Sequence, residues 1–196
     1  MTRILATPGV GYLIVTHQHI PAVSLLFAAG LTDLLDGYIA RKYNMGSVVG
    51  TILDPFADKF LMTTLVVTLS VAGQMPTWLA VVILGRDFGL LLSALYWRWI
   101  SLPGPRTFRR YWDFSLPSAE VHPTQLSKIN TGLQLALVGL YTVDPILPTL
   151  GLNIHGLFGL EGFSYLTAGT TIYTGLSYIW VKDAVKIIKQ DRGTSK

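Results

Sequence analysis

Apolar residues run along this chain in long blocks broken by short polar interruptions, not in alternation. A helix that crosses about 30 Å of hydrocarbon needs roughly 20 residues. A window of that length finds six apolar segments, near 3–16, 21–42, 47–72, 76–100, 124–148 and 163–188, the first of them short. None shows the two-residue alternation of a barrel strand. The pattern therefore predicts an all-α integral membrane protein, one domain over residues 1–196, built as a six-transmembrane-helix bundle. The first helix is expected to be weak, because Pro8, Gly9 and Gly11 interrupt it before the polar turn His17-Gln18-His19. The last is expected to exit with Lys182, Lys186 and Lys189 at helical spacing, as an anchor for anionic lipid headgroups.

Composition agrees with the pattern and excludes an ordinary soluble domain: 51% of residues are hydrophobic, 13% are charged, and the mean hydropathy is +0.47. With no cysteine, disulfides and thiolate metal sites are ruled out. The opening MTRILATPGV reads as neither a secretory signal nor an Arg- and Ser-rich transit peptide. An even number of spans puts both termini on one side, together with the connections at 42–47 and 101–123. Thirteen of the fifteen Lys and Arg fall at or near that face, and the opposite connections near 17–20, 73–75 and 149–162 hold none. By the positive-inside rule this asymmetry sets the orientation.

Against that apolar background, four carboxylates stand out within 26 residues: Asp33, Asp36, Asp54 and Asp58. A carboxylate inside a bilayer helix costs several kcal/mol unless it meets a cation or water, so intramembrane acids are candidates for function. Asp33, Asp36, Gly37, Ala40 and Arg41 share one stripe of the second helix, about 140° wide at 100° per residue. Asp33 lies roughly 13 Å along the axis from Lys42. Gly37 and Ala40 either admit a ligand close to the backbone or serve as small residues for helix packing, and both uses can coexist. On the third helix, Gly50, Asp54 and Asp58 form a stripe about 80° wide. A tight connection joins the two helices, so their acidic stripes are expected to face each other. Pro55 should bend the helix beside the acids.

Three further places carry candidate chemistry. In the fourth helix, Arg86-Asp87 lies near the bilayer midplane, where the arginine either pairs with one of the acids or grips an anionic group of a substrate. The 101–123 connection interleaves Arg106, Arg109 and Arg110 with aromatic residues, and His122 follows. Such a mixture can bind nucleic acid, but at a membrane surface lipid headgroups are the better partner, and no nucleic-acid partner is expected. Lys128, one turn into the fifth helix, either snorkels to the interface or turns inward beside Asn130 and Thr131 to hold a phosphate. Arg3 is balanced in the same way between an interfacial anchor and a phosphate contact. No internal repeat and no nucleotide-binding glycine loop is present.

Carboxylate ligands without His or Cys suit Mg²⁺ or Mn²⁺, with Co²⁺ or Ca²⁺ as further candidates. Four acids supply enough charge for two divalent ions. Two such ions can clamp a diphosphate for phosphoryl transfer, with one acid left to take a proton from the attacking hydroxyl. A divalent-cation carrier also places acids in membrane helices, although a carrier's acids would line a path across the bilayer and these lie toward one side.

The run Asp33-x2-Asp36-Gly37-x2-Ala40-Arg41-x8-Gly50-x3-Asp54-x3-Asp58 resembles the complete signature of the CDP-alcohol phosphotransferase family. The resemblance implies a six-helix membrane bundle, usually homodimeric, that transfers a substituted phosphate from a CDP-linked donor to an alcohol and releases CMP. It implies that Asp33, Asp36, Asp54 and Asp58 coordinate two metals, with Asp58 also the general base. Gly37, Ala40, Arg41 and Gly50, with the acids of the second helix, would receive the CDP donor. The segments GLTDLLDGYIARKYN, LDPFADK, RDFGLLL, SLPGPRT and HPTQLSKINT resemble the eukaryotic branch of the family that joins CDP-diacylglycerol to phosphatidylglycerol. That likeness implies the mitochondrial inner membrane, with the basic face toward the matrix and Arg86, Arg106, Lys128, Arg3 and His122 as contacts to the acceptor's phosphate. Within the family the alternative acceptor is glycerol 3-phosphate, and charge counting does not separate the two.

Overall fold

In the computed structural model, the residues described are 2–42, 48–101, 120–121, 125–152, 154, 159–180 and 185–186. They form α1 (Thr2–Val15), α2 (His19–Lys42), α3 (Val48–Val71), α4 (Thr77–Ser101), α5 (Gln125–Val143) and α6 (Leu160–Trp180), with a 3₁₀ turn at Asp144–Leu150. A two-residue antiparallel bridge pairs Glu120 with Lys186 and Val121 with Val185. Order and type of the helices follow the hydrophobic blocks. Two stretches among the described residues, His19–Ile39 and Thr77–Ile100, are long and apolar enough to cross a membrane.

The distribution of side chains suits a lipid solvent. Phe27, Leu34, Tyr38, Val81 and Phe88 are exposed, whereas Thr7, Asn130, Gln134, Thr167 and Thr171 are buried. Lipid tails give apolar faces no reason to associate, so close packing and hydrogen bonds hold such helices together. The α5–α6 contact shows this. Asn130 Oδ1 accepts from Thr170 Oγ1 at 2.8 Å and Thr171 Oγ1 at 3.1 Å, and Gln134 Nε2 donates to Thr171 Oγ1 at 3.0 Å. Near the other end Tyr141 and Ser164 share a bond of 2.9 Å. An apolar core from Val10 and Ile14 through Leu65, Leu69, Leu79 and Ile83 to Leu137 and Val138 joins α1, α3, α4 and α5.

The first helix departs from expectation: α1 is continuous through Pro8, Gly9 and Gly11. Its glycines serve contact. A Cβ on Gly9 would lie 3.4 Å from Leu25 Cδ2 of α2, and one on Gly11 would lie 3.0 and 3.2 Å from the methyls of Thr64 and Thr68 of α3. Thus α1 is wedged between α2 and α3. Both pack along it, and direct approach of α2 to α3 is slight among the described residues. The facing of the two acidic stripes rests on the side chains of Ala40, Arg41 and Asp54 and the surroundings of Gly50, which lie outside the described residues.

Two further boundaries differ. After Val143 the chain tightens into the 3₁₀ turn, where Pro145 and Pro148 withhold the amide hydrogens that an α-helix to 148 would need. The last helix is described as far as Trp180, and Lys186 stands in the strand bridge, not on a helical face; Lys182 and Lys189 lie outside the described residues. Three chain reversals share one device. At His17 (φ 57°), Gly73 (φ 72°) and Gly151 (φ 74°) the left-handed residue closes the preceding turn, with bonds such as Gln18 N to Leu13 O at 2.9 Å and Gln74 N to Leu69 O at 2.9 Å.

Candidate active site

The acidic stretch is carried by the ends of α2 and α3 nearest their connection. Asp33 and Gly37 are half-buried, while Asp36 and Asp58 are exposed. Asp33 and Asp58 each have an interaction partner. By helical spacing Asp58 lies within about 20° of Leu65 and Leu69 on α3, and both leucines are buried, so this carboxylate is on the bundle-facing side of its helix. The side chains of Ala40, Arg41 and Asp54 and the surroundings of Gly50 lie outside the described residues. So do Arg106, His122 and the side chain of Arg3.

Among the described residues no group of three or more His, Asp or Glu is gathered closely enough to hold a metal ion; Asp54, the fourth member of the expected quartet, is not among them. The donor chemistry itself fits a hard cation, since Asp33, Asp36 and Asp58 offer only carboxylate oxygens and cysteine is absent.

The structure also assembles a second charged region. Between α3, α4 and α5 lies a cavity of about 1160 Å³ with mostly apolar walls, and at its inner side Lys59, Arg86, Asp87, Ser127 and Thr131 come together. Asp87 is the centre of this group. Its Oδ2 accepts from Lys59 Nζ at 2.5 Å, and its Oδ1 accepts from Arg86 Nη1 at 2.8 Å. Arg86 Nη2 donates to Ser127 Oγ at 2.6 Å, while its buried Nε has no partner. The Arg86 stem lies against α6, where a Cβ on Gly175 would approach Cγ to 3.7 Å.

Of the expected site residues, then, Arg86 is held by its chain neighbour Asp87 and by Ser127. On α3 the cavity-lining Phe56, Lys59 and Thr63 are turned about 100–160° from Asp58, which sets the cavity and the acidic stripe on different sides of that helix. Lys128 is exposed, outside the buried line of Ser127, Asn130 and Gln134. Neither Lys59 nor Asp87 is among the site residues that the sequence singled out. The signal that could have found them is the acid in mid-helix itself, which by its cost in lipid must meet a partner.

Comparison with known proteins places these features. A family model described as CDP-alcohol phosphatidyltransferase matches residues 1–174. The chain is 46% identical over 177 residues to a Schizosaccharomyces pombe protein described as a cardiolipin synthase (CMP-forming) and mitochondrial hydrolase fusion, covering 90% of this chain and 29% of that one. It is 44% identical over 192 residues to a probable cardiolipin synthase (CMP-forming) of Drosophila melanogaster, covering 97% of this chain and 58% of that one. The cardiolipin synthase (CMP-forming) of Homo sapiens is 38% identical over 191 residues, covering 96% of this chain and 62% of the human protein. The chain therefore spans less than two thirds of the length of each of these relatives.

Proposed function

The chain belongs to the CDP-alcohol phosphatidyltransferase family, and on that premise we propose that it is a cardiolipin synthase, moving the phosphatidyl group of CDP-diacylglycerol onto phosphatidylglycerol to give cardiolipin and CMP. The observation that carries this reading is likeness to proteins described as cardiolipin synthases over 90–97% of the chain, a span that includes all four acids. The bundle would sit with six spans in the mitochondrial inner membrane, as a homodimer with its basic face toward the matrix.

The family generally uses divalent metals, and two Mg²⁺ or Mn²⁺ ions held by Asp33, Asp36, Asp54 and Asp58 would neutralise the diphosphate and the departing CMP. Asp58 would take the proton of the acceptor's free glycerol hydroxyl. That oxygen then bonds to the phosphorus bearing the diacylglycerol, and the bond from this phosphorus to the CMP oxygen breaks. Gly37, Ala40 and Gly50 keep side chains out of the way where the donor would lie against the helices, and Arg41 would meet its diphosphate. Arg3, Arg106, Lys128 and His122, on or near the basic face, would receive the acceptor's phosphodiester, while Arg86 is engaged in the cavity beyond α3.

The test is a panel with the full chain in liposomes, CDP-diacylglycerol as donor, and phosphatidylglycerol, glycerol 3-phosphate or inositol as acceptor. Cardiolipin with an equal amount of CMP is expected from phosphatidylglycerol alone. Phosphatidylglycerophosphate as the main product would move the assignment to the glycerol 3-phosphate enzymes of the family. Cation flux without nucleotide and without CMP release would replace it with a carrier.

A further inference from the structure

We propose that the cavity between α3, α4 and α5 is a lateral site for an anionic phospholipid of the bilayer, seated with its phosphate on Lys59 beside Arg86 and an acyl chain along Phe56, Val81, Leu84, Phe88 and Leu91. The lipid stays bound without entering the reaction. The proposal does not depend on the acceptor assigned to the acidic stripe.

Size and polarity come first. At about 1160 Å³ the cavity exceeds the roughly 300–1,000 Å³ typical of small-molecule pockets. Phe56, Val81, Phe88 and Leu91 are all exposed, so the opening faces the hydrocarbon and a ligand would enter sideways. The inner wall supplies the head contact. Two cations, Lys59 and Arg86, share the single carboxylate of Asp87, which leaves one positive charge over. Arg86 has only 5% of its side chain exposed, Asp87 has 15% and Lys59 has 53%.

An unbalanced cation at the wall of a lipid-facing cavity is costly, and its donors are not exhausted. Arg86 Nε is unpartnered, and an ammonium carries three N–H bonds where Asp87 takes one. A phosphodiester brings one negative charge and several acceptor oxygens to the exposed side of Lys59. A zwitterionic lipid would bring its own cation to the same place. The position also separates this lipid from the chemistry, since the cavity face of α3 is turned about 100–160° from Asp58.

Gly85 offers a clean test. It lines the cavity, and a Cβ built on it meets nothing within 4 Å. Gly85→Leu therefore fills the space and also favours the helix. The full chain in nanodiscs is exposed to phosphatidylinositol or phosphatidylcholine carrying a photoreactive acyl chain, and the labelled peptides are identified. Labelling of α3 and α4 around Phe56, Phe88 and Leu91 should favour the anionic probe by about tenfold, the scale of one charge-assisted contact. It should fall about as far in Gly85→Leu and, through the head contact, in Lys59→Gln. The KM for phosphatidylglycerol in Gly85→Leu should match that of the wild type. Equal labelling by both probes, labelling that survives Gly85→Leu, or a raised KM for phosphatidylglycerol in that variant would overturn the proposal, the last by making the cavity the acceptor's own seat. Labelling is read without turnover, so a wild-type chain that makes no cardiolipin would count against the proposed function alone.

Discussion

Two charged regions lie on different sides of α3, and they solve the problem of charge in an apolar bundle in different ways. The acidic stretch carries Asp33, Asp36, Asp54 and Asp58 with Arg41 among them, an excess of carboxylate in apolar helices that suits bound cations. The cavity group holds most of its charge internally, Lys59 and Arg86 on Asp87 with Ser127 taking a further donor, and is left with one positive charge over. The sign of the excess separates a site suited to cations from one suited to a single anion. The two regions meet at consecutive residues. Asp58 belongs to one and Lys59 to the other, because a step along a helix turns the side chain by about 100°.

Substitutions that should act on one region alone can break this contrast. The largest effect is expected at Asp58, where Asp58→Asn should lower CMP release by about 10²–10⁴-fold, the usual worth of a positioned general base, with little change in melting temperature. Normal turnover would remove the base from the stripe. Excess chelator should abolish CMP release, and added Mg²⁺ or Mn²⁺ should restore it. Asp87→Asn should behave in the opposite way. It leaves the buried Arg86 without its carboxylate, a change that costs about 3–5 kcal/mol where a pair is deeply buried and less here because Lys59 is half exposed. Unfolding in detergent should show the loss, while turnover per folded molecule stays within a few-fold. Abolished turnover at unchanged stability would make the two regions one.

Smaller effects sharpen the frame that holds the regions apart. Gly11→Leu should push α1 from Thr64 and Thr68, destabilising by about 1–3 kcal/mol as overpacking does and lowering turnover by loosening the wedge between the acidic helices. Gln134→Leu removes one α5–α6 hydrogen bond and should cost about 0.6–1.7 kcal/mol, with turnover unaffected. A Gly11→Leu protein with both stability and turnover intact would show that α1 does not set the spacing of the stripes.

What could be read in the sequence follows from how local each cause is. The helical bundle was legible because lipid forces every span to satisfy its own backbone, and the acids because their cost in lipid is independent of the neighbours. The continuity of α1 was not legible: Pro8, Gly9 and Gly11 weaken a helix by local propensity, and only the close approach of Leu25, Thr64 and Thr68 shows what the glycines are for. The place of Lys186 was missed because its spacing from Lys182 and Lys189 suits a helical face, and only the pairing of Val185 and Lys186 with Val121 and Glu120 shows a strand there. The cavity was hidden for a third reason. Lys59 and Asp87 are far apart in the chain, and only the packing of α3 against α4 brings them together.

The central claim, that the acidic stripe of α2 and α3 transfers a phosphatidyl group from a CDP-linked donor, is tested most directly by CMP release from CDP-diacylglycerol in the presence of phosphatidylglycerol, compared between the wild-type chain and Asp58→Asn. The account predicts divalent-metal-dependent CMP, matched one for one by cardiolipin, in the wild type and near-background release in the variant. Equal CMP release by the two proteins, or release that ignores chelation, would contradict it.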